Sequence, residues 1–111
     1  LTEKDQFEWL KELKRISLAN AVILVTIHGD AAFCRSCLPV SFLQKLKKKG
    51  INTDLPNSSL DDAIKEEGYY RDTYHTHDYI LKNWSKYFEI VDIIPGCTNT
   101  NLQDLVVMRR S

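Results

Sequence analysis

The sequence predicts an α/β fold: a small three-stranded mixed sheet with flanking helices. Three observations predict it. Residues 21–27 read AVILVTI, seven residues with one polar side chain, closed by His28-Gly29-Asp30. A half-exposed antiparallel strand alternates apolar and polar, whereas a strand covered by helices on both faces reads as a continuous apolar run. Ahead of this run, Phe7, Trp9, Leu10, Leu13 and Ile16 recur at helical spacing. At the far end two more apolar runs, 88–94 and 104–109, are joined by a link shorter than the dozen or so residues that a parallel crossover requires, so these two strands pair antiparallel.

The bulk properties narrow the class. A chain of 111 residues fits one small domain. It buries roughly two-thirds of its unfolded surface, enough for one core. A wide doubly wound sheet needs several crossover units of about 30 residues or more. The strand at 21–27 is therefore expected to belong to a larger sheet than this chain builds. Lys+Arg and Asp+Glu are both 15, for a formal net charge of zero. The basic footprint of a nucleic-acid binder is missing, and nothing invokes an anionic membrane surface. No apolar run approaches the ~20 residues that span a bilayer. No charged-then-apolar leader opens the chain, so a cytoplasmic location is expected. Three cysteines are too few, and odd in number, for a secreted disulfide scaffold. The two Asn-x-Ser matches, at Asn57 and Asn83, are read as chance without a secretory context.

Taken in order, Thr2 with Asp5 three residues on resembles a capping box and opens a helix at 3–16. Its other face carries Glu3, Lys4, Glu8, Lys11, Glu12 and Lys14, so one side is buried and one solvated. A short connection with Asn20 as a turn residue leads into the strand at 21–27. A second helix spans 39–49. Pro39 suits its first turn, Phe42, Leu43 and Leu46 form its apolar stripe, and Gly50 sits where a helix ends. Lys47, Lys48 and Lys49 complement the dipole at its last turn. From 51 to 74 periodicity weakens: 56–59 is a turn, 60–66 a short helix, and 68–75 an aromatic, hydrogen-bonding stretch without clear pattern. Thr76 caps a third helix at 77–86, whose inward positions are Tyr79, Ile80, the polar and marginal Asn83, Trp84 and Tyr87. The strands 88–94 and 104–109 close the chain. Trp9 and Trp84 both fall on apolar helix faces and are expected in the core.

This order, with these residues, resembles the C-terminal half of a class I S-adenosylmethionine-dependent methyltransferase. The segment WLKELKRI at 9–16 is similar to the family's W-L-x-E-L-x-R-V helix, and 21–29 to its fifth strand and outgoing loop. The stretch YHTHDYI at 74–80, followed by WSKYF at 84–88, resembles the helix leading into the sixth strand. QDLVVM at 103–108 resembles the seventh strand, which in that family runs antiparallel between the fifth and sixth. The resemblance implies a Rossmann-like origin and a sheet ordered first, third, second by position in this chain. Two departures stand out. The Pro-Gly-Gly that usually precedes the fifth strand is replaced by 17–21, SLANA. The Gly-rich turn and the ribose-binding acid of the cofactor half are missing too, since the four glycines, at 29, 50, 68 and 96, are scattered. The expectation is a C-terminal portion of a methyltransferase domain that uses S-adenosylmethionine in its intact parent, with no cofactor held by these residues alone.

The resemblance also names a site. Ligands of open α/β sheets lie beyond the carboxyl ends of the strands, which makes His28 and Asp30 candidates for a pocket wall. Tyr70, Arg71, Tyr74 and His75 resemble the segment that closes over the acceptor in related methyltransferases. The implied substrate is a small-molecule methyl acceptor. Catalytic residues stay open, although His28 or His75 could serve as a base toward a hydroxyl. The plainer alternative is that Tyr70 and Tyr74 pack the core and that 75–77 is helix-cap chemistry. Cys34-Arg35-Ser36-Cys37 has the spacing of half a zinc site, but a structural site takes four ligands and the rest would have to come from Cys97 and a histidine. These cysteines are read as small side chains in a loop, and no metal is expected. Two further readings are a binding or interaction module that kept the half-sheet without chemistry, and, behind it, a small zinc-binding domain. With the neighbouring strand of the family missing, self-association through the open edge of 21–27 is expected.

Overall fold

The computed structural model describes residues 2–35, 39–56, 71–96 and 103–111. Helix α1 (Glu3–Ile16) starts where Thr2 Oγ1 accepts the Asp5 amide at 3.2 Å. It presents Leu10 and Gln6 to the interior, with Phe7 and Leu13 packed beside them. The chain reverses at Asn20, whose φ of 64° uses the tolerance of asparagine for the left-handed region. Strand β1 (Val22–Ile27) follows, then the short helix α2 (Asp30–Arg35) and helix α3 (Val40–Lys49). Gly50 ends α3 at φ 80°, and a Cβ there would come within 2.7 Å of Tyr79 Cβ. Strands β2 (Ile51–Pro56) and β3 (Arg71–His75) pair antiparallel with an irregularity after Asn52. Thr76 Oγ1 accepts the Tyr79 amide and opens helix α4 (His77–Asn83), which tightens into a 3₁₀ turn at Trp84–Lys86. Strands β4 (Glu89–Ile94) and β5 (Asp104–Arg109) complete the chain.

The main sheet has the order β1-β5-β4, with the last strand between the first and the penultimate one. Leu24 faces Val107 and Val25 faces Val106, while Ile93 faces the same Val106 from the other side. Both ladders are antiparallel, so the sheet is antiparallel and not mixed: β1 and β4 run the same way but never touch. A short β4–β5 connection permits only that pairing. One face of the sheet forms the core, with Val106 and Met108 of β5 and Ile27 of β1 packed against Leu10, Ile80, Trp84 and Phe88. Ile80, Phe88, Val106 and Met108 are almost completely enclosed. Burial of side chains of this kind contributes about 1.5–3 kcal/mol each. A second, smaller cluster joins Ala32, Phe42, Leu46 and Tyr74 beneath α3.

Four further expectations are corrected. The strand β1 is not covered on both faces: α1 and α4 pack on one side only, leaving Val22 and Leu24 63% and 61% exposed. Trp9 is 56% exposed, because the inward stripe of α1 runs through Gln6 and Leu10. Cys34 and Arg35 lie in α2, not in a loop, and the stretch read as irregular contains β3. The expected helix at 60–66 lies outside the described residues, as do Ser36 and Cys37. Among the described residues no helix is long and apolar enough to cross a membrane.

At its outer edge β1 has no ladder partner among the described residues of the main sheet, and exposed apolar edges template strand pairing. Light scattering is expected to report a dimer or larger. Leu24→Lys, at an exposed position, should shift the chain toward monomer at a stability cost under about 1 kcal/mol. A wild-type chain that stays monomeric at high concentration would contradict the proposed self-association.

Candidate functional site

The C-terminal end of β1 is where the two halves of the fold meet. His28 forms an isolated parallel bridge with Tyr74, and the His75 amide donates to the His28 carbonyl at 2.9 Å. Because side chains alternate along a strand, β3 sends Tyr74 and His75 to opposite sides. Tyr74 packs edge-on against Phe42 at 5.4 Å and lies 5.2 Å from the His28 ring, in the smaller cluster. His75 enters the main core, 5.6 Å from Tyr79 and 5.5 Å from Trp84 between ring centroids.

An open cavity of about 270 Å³ lies between α1 and β1 below this junction. From α1 come Gln6, Trp9, Leu10 and Leu13; from β1 and its exit come Val25 through His28. Thr73, His75, Trp84 and Gln103 close it. The expected residues are thus distributed unevenly. His28 and His75 share this wall, Tyr74 supports His28 from the Phe42 side, and Arg71 begins β3 without a described side chain. Tyr70 lies outside the described residues. Gln6, Thr73 and Gln103 were not anticipated. Gln103 alone carried a signal, as a polar residue placed immediately before an apolar strand.

His75 is 4% exposed. Burial, reinforced by the neighbouring His28, lowers its pKa from 6.5 to about 4. Its Nε2 lies 2.7 Å from Gln6 Oε1, and the amide oxygen can only accept, so Nε2 carries the proton and Nδ1 the lone pair. Tyr79 donates its hydroxyl to Glu3 at 2.6 Å. Its burial and that carboxylate push the phenol well above its ordinary value.

Beside the cavity is a second polar cluster that sequence reading missed. Asp104, fully buried, accepts four N–H groups: the Asp30 amide at 2.8 Å, Ala31 at 3.3 Å, Gly96 at 3.1 Å and His77 Nε2 at 2.6 Å. Burial alone would raise this carboxyl, but the hydrogen bonds from His77 and from the Gly96, Ala31 and Asp30 amides outweigh it and hold it below the usual carboxylate range. Gly29 is required here, since a Cβ would sit 2.3 Å from Asp104 Oδ2. Asp30, His77 and Asp104 offer ligand atoms within 4.8 Å of one another. His77 turns Nδ1 toward Asp30 at 3.6 Å and engages Asp104 through Nε2 at 2.6 Å. The cluster is a hydrogen-bonded knot. The side chains of Cys34, Cys37 and Cys97 lie outside the described residues. Comparison with protein-family models, curated proteins and solved structures gives no match.

These geometries make stability depend on pH and on one carboxylate. Between pH about 6.5 and about 4 the unfolded chain protonates His75 while the folded chain does not. The contribution of His75 to stability is thus fully present above pH 6.5 and is lost as pH falls toward 4, by up to about 3 kcal/mol. Urea titrations at pH 7, 5 and 4 should show this loss, and His75→Gln should flatten it. Asp104→Ala strands four donors and should lower stability by about 3 kcal/mol or more in the same assay, whereas a chelator should leave the midpoint unchanged.

Proposed function

We propose that this chain is the C-terminal, substrate-side part of an S-adenosylmethionine-dependent methyltransferase acting on a small molecule. One observation carries the reading: a last strand inserted antiparallel between β1 and β4, with His28 and His75 converging on a cavity at the carboxyl end of β1. That is the end where open α/β sheets hold their ligands. A Rossmann-like origin for the half-sheet and a cytoplasmic setting belong to the same proposal.

The described residues do not fit the cofactor itself. Gly29 is closed off by Asp104, Gly50 by Tyr79, and the Gly96 amide is committed to Asp104, so none of the three offers a backbone surface for a nucleoside. In such an enzyme the sulfonium supplies the methyl group, and the work of this chain is to hold the acceptor and keep water from it. Methyl transfer depends on in-line placement more than on a strong acid or base, and a mostly apolar cavity with a few polar side chains suits that task.

Calorimetry on this chain should show no S-adenosylmethionine binding tighter than roughly millimolar, about 4 kcal/mol. In the intact protein, His28→Ala and His75→Ala should depress methyl transfer more than thermal stability. If both substitutions lower only stability and the folded fraction turns over at the wild-type rate, the two histidines are packing residues and the reading fails.

A further inference from the structure

The wall of the β1 cavity is selective in its chemistry. Among the described residues no lysine, arginine, aspartate or glutamate lines it. A charged ligand would leave water without a counter-charge, which is costly, so the cavity favours a neutral molecule. The α1 side, with Trp9, Leu10 and Leu13, offers an apolar body its contact.

Two pairs of polar atoms then specify what that molecule must carry. His28 Nε2 and Gln103 Nε2 lie 3.5 Å apart, and both residues are partly exposed. The amide N–H only donates, so the contact is a hydrogen bond in the tautomer that leaves the lone pair on His28 Nε2, and at 3.5 Å that bond is long. A hydroxyl matches this pair, because its oxygen accepts from Gln103 while its proton goes to His28. Deeper in the wall, on two side chains each 4% exposed, His75 Nδ1 and Trp84 Nε1 are buried with no partner among the described residues. This is again one acceptor beside one donor, on rings 5.5 Å apart. Buried polar atoms left unpaired are rare and call for an explanation.

We infer that the cavity binds a neutral, mostly apolar small molecule bearing a hydroxyl, with the hydroxyl seated between His28 and Gln103. This names the class of acceptor for the site proposed above, and rests on that reading only for the chemistry after binding. A ligand of this class that opens the deeper wall places a second oxygen, its own or a trapped water, between His75 and Trp84.

Binding is testable on the 111-residue chain with phenol, anisole, toluene and benzoate as probes. Nitrogen-resolved NMR should show phenol shifting the His28 Nε2 resonance. Phenol should bind at least about ten-fold more tightly than toluene or anisole, the size of one good hydrogen bond, and benzoate should be the weakest. His28→Phe and Gln103→Leu should each remove the preference for phenol while leaving toluene affinity unchanged, and that toluene control reports an intact cavity. Toluene binding as tightly as phenol, benzoate binding more tightly, or no phenol binding at all overturns the inference. Phenol binding as described, with no methyl transfer to hydroxyls by the intact protein, overturns the methyltransferase reading and leaves the binding site standing.

Discussion

The carboxylate of Asp104 is the constraint on which the rest depends. It begins β5, lies wholly inside, and receives hydrogen bonds from the β1–α2 turn, from Gly96 after β4 and from the first residue of α4. Along the chain these donors lie between 8 and 74 residues from Asp104. A buried charge is tolerated only when such donors replace water. The donors in turn have a buried acceptor in this carboxylate, so charge and fold hold each other in place. The end of β1, and with it His28, has its position set by this knot.

Around it the packing is economical. One face of a three-stranded sheet, α1 and α4 enclose the main core, and α2, α3 and β3 form a smaller one. Asn52 donates to the Phe42 carbonyl at 3.3 Å, and the Thr76 amide donates to the Gly50 carbonyl at 2.8 Å. These bonds fix β2 and β3 to the helices on either side, so the cavity wall is built on paired backbone and not on a free loop. Sites placed this way are held more firmly than sites on loops.

Much of this was legible. The 3.6-residue stripe marked α1 and α3, the Thr2 and Thr76 caps marked helix starts, and the apolar runs marked β1, β4 and β5. The sheet order followed from the resemblance. What escaped has physical reasons. The helix α2 is six residues long, too short for a period to register, and its first amides are met by a carboxylate near the other end of the chain. Strands β2 and β3 carry Asn52, Thr53, Asp54, Asp72 and Thr73, whose polarity hides a pleat. Their identity lies in pairing across 15 or more residues, which no local window contains. His28 and His75 were visible as candidates because they flank recognisable elements. Gln6 was hidden within a helix stripe otherwise made of apolar residues.

The alternation at Tyr74 and His75 has a further consequence. Adjacent residues of one strand serve two different interiors, so β3 is a partition one backbone thick. Side chains on the Phe42 side can be exchanged for others of similar volume without touching the surface that His75 presents on the opposite side. The two compartments are joined by the bond from the His75 amide to the His28 carbonyl and by the His28 ring, which packs on Tyr74 and also lines the cavity. Away from the Tyr74–His28 contact, a lineage can therefore remodel the outer compartment while the wall that His75 presents is inherited unchanged.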